Sequence, residues 1–439
     1  MNLRILTKEA NPSAGDISRV LFLLPSEGEP TAEDLAMLQA LYSRDPKPID
    51  AAVKLLKLST SGDFMNKFYV GYGHESIAEL GDVVIAIENV PMPIAKLIQH
   101  YQLYKGQECS TRYINFSKQA FIARTEPGRI YQEKLRSFYL KALEPTTELL
   151  LKKFDLDRND ANELRGAKAA TFDVLRGFLP NGAVTNLAWK TDLRYLNNRI
   201  HALRDHVDEY PELAVVLDKI TALAKEAFPN SIRDRRSVNT DPLEWPFGMG
   251  MENHFQPSVD FFPLRAINGE PRGIIEWVDT IDFASWRDLA RHRSVFQTFP
   301  AITTKYDFEY WYTDQLPYDL RSEAFELIYE AEELFDQDQD RYAIPMGFKV
   351  PFIVTGPLEK FRYIIRLRSG ETVHPTLRKS IYDLAGTLTF KTGMQFARLN
   401  STEWIVGGKR GRQDIELLPL EKAKSEEPKN PVLLQEEVK

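Results

Sequence analysis

Three stretches of the chain place reactive side chains at spacings that chemistry can use. Arg291-His292-Arg293 puts three basic groups in a row at the end of the apparent helix WRDLARHR, where they repel unless something anionic sits among them. A solvated helix C-terminus, where the dipole favours cations, accounts for the same residues. Glu108-Cys109-Ser110-Thr111-Arg112-Tyr113 offers a hydroxyl and a guanidinium two residues apart. In a turn or strand these can point into one pocket and grip a phosphate, although a surface strand explains them too. GYGHESIAE (Gly71 to Glu79) has two glycines but lacks the third of a dinucleotide loop. His74, Glu75 and Glu79 also miss the HExxH spacing of zinc hydrolases, so no metal site is expected.

The elements that must carry these residues are of both kinds. Helical periodicity runs from Thr31 to Arg44, with Thr31 and Asp34 resembling an N-terminal cap, and from Arg129 to Leu143, before Pro145 interrupts. Pro211 opens another apolar three-and-four pattern, and a similar one spans Leu320 to Phe335. Short β-rich runs are VVIAI (Val83 to Ile87) and FIVTG (Phe352 to Gly356). The class is mixed α and β. From Pro229 to Pro257 the chain turns irregular, which predicts a boundary near residue 235: residues 1–235, then 236–420, then a charged, Pro-containing tail over 421–439.

The composition is that of an ordinary globular protein, with 439 residues, 43% apolar and 27% charged. A net charge of −7 argues against wrapping nucleic acid by bulk charge, although a local basic patch can still hold an anionic ligand. The single cysteine, Cys109, excludes an internal disulfide and a Cys-rich zinc site. No apolar run approaches the roughly 20 residues that span a bilayer, and the N-terminus lacks a secretory core. A cytoplasmic location, with no membrane and no nucleic-acid partner, is the expectation.

The near-equal halves repeat one another. Gln99-His100 falls on Arg291-His292, and Ser110-Thr111-Arg112-Tyr113 falls on Thr303-Thr304-Lys305-Tyr306 with one extra residue between. Downstream, RGFLP (Arg176 to Pro180) matches RYAIP (Arg341 to Pro345). Leu203-Arg204 follows its proline by nearly the interval that separates Leu367-Arg368 from the second. Ordered matches at near-equal spacing read as an internal duplication whose copies have diverged.

Taken in order, these segments resemble the flavin-dependent thymidylate synthases. The signature of that family runs from a GHxxxxE-like segment through an Arg-His-Arg helix end to a Ser-x-Arg-Tyr turn. An Arg before a Leu-Pro and an Arg/Asn-bearing helix closing in Leu-Arg follow. The first half shows GHESIAE, CSTRY, RGFLP and TNLAWKTDLRYLNNRIHALR; the second shows RHR, TTKY, RYAIP and FRYIIRLRSGETVHPTLRKSIYDLA. Such enzymes are about half this length, so the resemblance implies an α+β chain of two tandem copies. Each copy is a mainly antiparallel sheet with packed helices.

The departures are complementary. The first half carries Gln99-His100-Tyr101 in place of Arg-His-Arg but keeps Ser110 and Arg112; the second keeps Arg291-His292-Arg293 but has Thr303 and Lys305. The spacers from wall to turn are one and two residues longer than in the family. Because the family assembles its sites from several subunits, the resemblance implies a composite site, one half giving the wall and the other the turn. A divergent duplicate that binds without turning over explains the eroded motifs as well.

What the resemblance implies is reductive methylation of dUMP to dTMP, with FAD as cofactor and methylenetetrahydrofolate and NADPH as co-substrates. It gives Ser110, Arg112, Arg176 and Arg204 to dUMP, with Ser110, Arg112 and Arg204 in the catalytic group, Arg204 being one residue out of the family spacing. It gives His74, Glu79, Arg194, Asn198, Arg291, His292 and Arg293 to flavin and folate. Arg341 and Arg368 are duplicates of nucleotide arginines or structural remnants. Guanidinium forks suit phosphate and stay charged at any working pH. The reaction uses no enzyme nucleophile, so Cys109 is expected to pack as a small apolar residue. A homodimer forming a pseudo-tetramer is the expected assembly.

Overall fold

In a computed structural model of the chain, residues 5–11, 16–25, 29–43, 61–67, 75–112, 114–234, 256–267, 270–335 and 340–396 are described, with residues 49, 53, 404 and 406. The expected boundary at 235, the tail over 421–439, His74 and Tyr113 lie outside them.

The strands are β1 (Ile5–Glu9), β2 (Arg19–Pro25), β3 (Asp82–Pro91), β4 (Lys105–Glu108), β5 (Val184–Asp192), β6 (Ser258–Ile267), β7 (Glu270–Asp282), β8 (Phe296–Gln297), β9 (Tyr306–Phe308) and β10 (Phe348–Pro357). Among the described residues they form two five-stranded antiparallel sheets. One is ordered β1-β2-β3-β5-β4; the other is β6-β7-β10-β8, with β9 also on β10. The VVIAI and FIVTG runs fall inside β3 and β10. β3 alternates buried and partly exposed residues because one face lies on the core. Its register slips between Ile87 and Val90, where Asn89 takes φ 56° and its N–H donates to Oδ1 of Asn186.

The main helices are α1 (Ala32–Tyr42), α2 (Met92–Gln99), α3 (Glu126–Lys153), α4 (Ala161–Leu175), α5 (Leu193–Arg204), α6 (Pro211–Ala227), α7 (Phe283–Leu289), α8 (Tyr318–Phe335), α9 (Leu358–Arg368) and α10 (Pro375–Thr392). α1 opens on the expected capping box: Thr31 Oγ1 accepts from Asp34 N at 3.3 Å, and Asp34 Oδ2 accepts from Thr31 N at 2.8 Å. Pro145 does not interrupt its helix. α3 runs 28 residues straight through it. Pro145 is exposed, and packing restrains the helix along its length: Tyr131 Oη donates to Leu327 O, and the Thr147 and Thr171 hydroxyls meet at 2.8 Å. Such contacts outweigh one missing backbone bond.

The two halves meet along a reciprocal backbone pairing. Gly182 N donates to Tyr342 O (2.6 Å) and Gly347 N to Gly177 O (2.8 Å); Asn181 N donates to Ile344 O (2.9 Å) and Met346 N to Leu179 O (2.8 Å). Each bond maps onto its partner when residues 165 apart are exchanged. The same exchange takes the start of α5 onto the start of α9 and β5 onto β10; β3 and β7 hold matching places beside them in the strand order, at a larger interval along the chain. Met92 N reaches Asn181 O as Ala284 N reaches Met346 O. Buried residues of both halves form one continuous apolar core that includes residues of α2 and α7. No helix among the described residues is long and apolar enough to cross a membrane.

Candidate functional site

The junction brings the wall of the second half against the turn of the first. α7 ends at Leu289, capped by Ala290, so Arg291-His292-Arg293 occupies the turn after the helix rather than its last residues. His292 N donates back to Leu289 O at 3.0 Å and holds that turn in place. One helical turn earlier, Arg287 reaches across to the first half. Its Nη2 donates to Glu108 Oε1 at 2.5 Å and its Nη1 to Thr111 Oγ1 at 3.3 Å. Glu108 also takes Lys96 Nζ (2.6 Å) and Gln99 Nε2 (3.0 Å) from α2, so one buried carboxylate joins both walls to β4. Burial alone would raise the Glu108 carboxyl, but Arg287 and Lys96 beside it hold it down at about 2. Burial pulls the Lys96 ammonium down to about 8, against the attraction of Glu108.

A second carboxylate sits among the arginines. Asp288 Oδ2 lies 3.1 Å from Arg176 Nη1, its Oδ1 lies 3.8 Å from Arg291 Nε, and Arg368 Nη2 donates to its main-chain oxygen at 2.8 Å. Burial opposes ionisation, yet Arg176, Arg291, Arg112 and Arg368 together keep this carboxyl well below the usual range. Arg176, only 1% exposed, also donates to Ser285 Oγ at 2.9 Å. Arg112 is spanned by Asp173 (Nε to Oδ1 2.8 Å, Nη2 to Oδ2 3.0 Å) and donates to Thr372 O at 3.0 Å. Ser110 Oγ accepts from Arg112 N at 3.3 Å, which fixes the hydroxyl within the turn.

His292 is not a third cation. Burial first, then Arg368, Arg293 and Arg291, push its imidazole down to about 3. Its Nε2 accepts from Arg368 Nε at 2.7 Å, so the neutral ring carries its proton on Nδ1. Arg293 lies with its guanidinium 4.6 Å from the Tyr104 ring centroid, and its buried Nε has no hydrogen-bond partner among the described residues. Among the described residues, seven cationic side chains thus gather here (Lys96, Arg112, Arg176, Arg287, Arg291, Arg293 and Arg368), with three carboxylates, Glu108, Asp173 and Asp288, among them. The excess of positive charge makes the place receptive to an anion.

Not every expected site residue lies here. Glu79 and Arg194 pair with one another, and Asn198 is buried one helical turn along α5 from Arg194. Arg204 closes α5 but its ion pair is with Asp218 of α6, not with any member of the cluster. Arg341 pairs with Glu209 in the same way. Lys96, Tyr104, Glu108, Asp173, Arg287 and Asp288 are members that the expected site residues did not include. Asp288 had a signal, since it stands three residues before Arg291, where a helix turn brings a counter-charge close.

The chain is thus an α+β protein with two antiparallel sheets and an arginine-rich centre where its halves meet. Residues 26–230 match the family described as "Thymidylate synthase complementing protein". A UPF0159 protein of Thermoplasma acidophilum is 22% identical over 475 aligned residues, covering 81% of this chain and 95% of the relative. UPF0159 proteins of Chlamydia muridarum and Chlamydia pneumoniae are 20% and 21% identical, covering 79% and 72% of this chain and 83% and 76% of theirs. Shares of that size extend over both halves, so these relatives align beyond the segment that the family model matches.

Proposed function

We propose that the chain is a flavin-dependent thymidylate synthase that methylates dUMP reductively to dTMP with methylenetetrahydrofolate and NADPH. Its composite site takes the wall from the second half and the turn from the first. The observation that supports this reading is the bonding of Arg287, four residues before Arg291, to Thr111 and Glu108, on either side of Ser110 in the first-half turn. Residues 1–235 and 236–420 are read as diverged copies, with 421–439 as a tail; the reciprocal pairing across the junction and the matching strand order support this. A cytoplasmic homodimer, equivalent to a tetramer of single copies, goes with it.

The residues present fit an FAD, because the unbonded Nε of Arg293 and the exposed Arg291 offer donors to a ring system that gains negative charge on reduction. The bound flavin supplies the hydride. Arg291, Arg293 and Arg368 hold phosphate or ring oxygens as charged donors, and the Ser110 hydroxyl, which accepts from Arg112 N, keeps its own proton to donate. His292, neutral and pinned by Arg368, orients the wall without adding charge. Cys109 takes no part as nucleophile: burial pushes its thiol up, away from thiolate.

The test is the absorbance spectrum of the purified protein before and after dUMP, followed by tritium release from 5-tritiated dUMP with folate and NADPH. A flavin spectrum perturbed by dUMP, with tritium release, is expected; a colourless protein that releases none rejects the reading. One observation favours a second reading, that of a flavin- or nucleotide-binding protein without turnover. Asp173 and Asp288 already occupy Arg112 and Arg176, two of the arginines that the family resemblance gives to the nucleotide. A yellow preparation that binds dUMP but releases no tritium selects it.

A further inference from the structure

The exchange that relates the halves defines a second place equivalent to the arginine centre. There the first-half wall, Leu97 to Tyr101, stands where Leu289 to Arg293 stands in the other. Its chemistry is reversed. Gln99 and Tyr101 replace Arg291 and Arg293, and both side chains are satisfied internally: Gln99 donates to Glu108, and Tyr101 Oη accepts from Trp189 Nε1 at 2.8 Å. The His100 ring is buried edge-on against Phe299 at 5.4 Å. Thr303, where the first half has Ser110, is fully buried.

Among the described residues, the arginine brought to this wall comes from inside. Arg199, buried on α5, donates from Nη2 to Leu97 O and to His100 O (3.2 Å), and its guanidinium lies 4.9 Å from the Tyr101 ring centroid. Arg368 does the corresponding work at the other wall, donating to Asp288 O and His292 Nε2 from one helical turn further along α9. The difference is what surrounds them. Beside Arg368 the wall presents Arg291, 40% exposed, and Arg293, which has no carboxylate partner among the described residues; beside Arg199 it presents an amide and a phenol, both buried. A phosphate finds excess charge and access at one place and neither at the other.

We infer that each chain holds one anion-binding centre, formed by Arg291, Arg293 and Arg368, and that the pseudo-equivalent centre has been closed into core, with Arg199 fixing the wall from within. The inference rests on the proposed function and deepens it by fixing the number of such centres: one ligand phosphate held at this wall per chain, not two. Either the nucleotide or the flavin can bring that phosphate.

Calorimetric titration of the full chain with inorganic phosphate tests it. One equivalent per chain is expected in the wild type, at least tenfold weaker binding in Arg293→Ala, and one equivalent still in Arg199→Gln. Two equivalents, or none, overturn the inference. Phenylglyoxal footprinting of the wild type gives an answer that survives misfolding of either variant: phosphate protects Arg291, Arg293 and Arg368, whereas protection confined to other arginines overturns it. Competition by dUMP and by FAD shows which ligand owns the phosphate. If neither competes while one phosphate still binds, the thymidylate synthase reading fails and the single centre stands.

Discussion

Arg287 of α7 donates to the buried carboxylate of Glu108 in β4 at 2.5 Å, and this is the shortest bridge between the second-half wall and the first-half turn. Glu108 holds Lys96 at the same time, so removing it strands two buried cations. Glu108→Ala is expected to cost about 3–5 kcal/mol, the usual effect of breaking a buried pair, read by urea denaturation. The pH dependence has a fixed sign. The folded carboxyl titrates at about 2, below its unfolded value near 4.3, so the stability it contributes is complete above pH ~4.3 and is lost as pH falls towards 2. A Glu108→Gln protein whose acid limb is no flatter than the wild type's would show that Glu108 is not the group responsible.

His292 gives a second pH signature. Its folded pKa, about 3, lies below the unfolded value near 6.5, so the folded state resists its protonation and stability drains away as pH falls below 6.5. The slope approaches about 1.4 kcal/mol per pH unit for one such histidine. His374, fully buried and also pushed well down by burial, adds to the loss with the same sign. Nitrogen-15 spectra of the imidazoles should show His292 neutral, with its proton on Nδ1, throughout pH 5 to 8. A resonance that titrates near 6.5 refutes the pairing with Arg368.

The lone cysteine separates two chemistries. Burial raises the Cys109 thiol, and its backbone N–H donates to Asn186 O at 2.9 Å. Cys109→Ala should therefore leave flavin retention and tritium release from dUMP nearly intact. Abolished turnover with the flavin still bound would assign the cysteine a covalent role.

Much of this architecture is legible in the residues, and the failures have physical causes. The Thr31–Asp34 cap, the β3 and β10 runs and the paired RGFLP and RYAIP segments depend on local pattern, and each falls where its spacing puts it. Repulsion within Arg291-His292-Arg293 calls for a nearby anion, and Asp288 is that anion. What local pattern cannot give is burial. The neutrality of His292, the sealing of His100 and the taking up of Arg112 by Asp173 all depend on distant segments meeting. Pro145 misled for the same reason, since tertiary packing carries α3 past it.

The reciprocal crossing makes its own demand on side-chain size. At Gly182 an added Cβ would run into the carbonyl oxygen of Ile122, and at Gly347 into the Phe308 ring and the oxygen of Gly177. The Ile122 oxygen is itself tied to Gln132 Nε2 at 2.7 Å, so it has no cheap way to retreat. Gly182→Ala is expected to destabilise by about 1–3 kcal/mol or more, as overpacking does. Gly386, in the middle of α10, has open space around its Cβ position, and Gly386→Ala should stabilise by up to about 1 kcal/mol through helix propensity alone. Thermal denaturation of the two variants side by side settles whether the crossing is as close as described: equal shifts of the same sign would mean that the halves do not meet there.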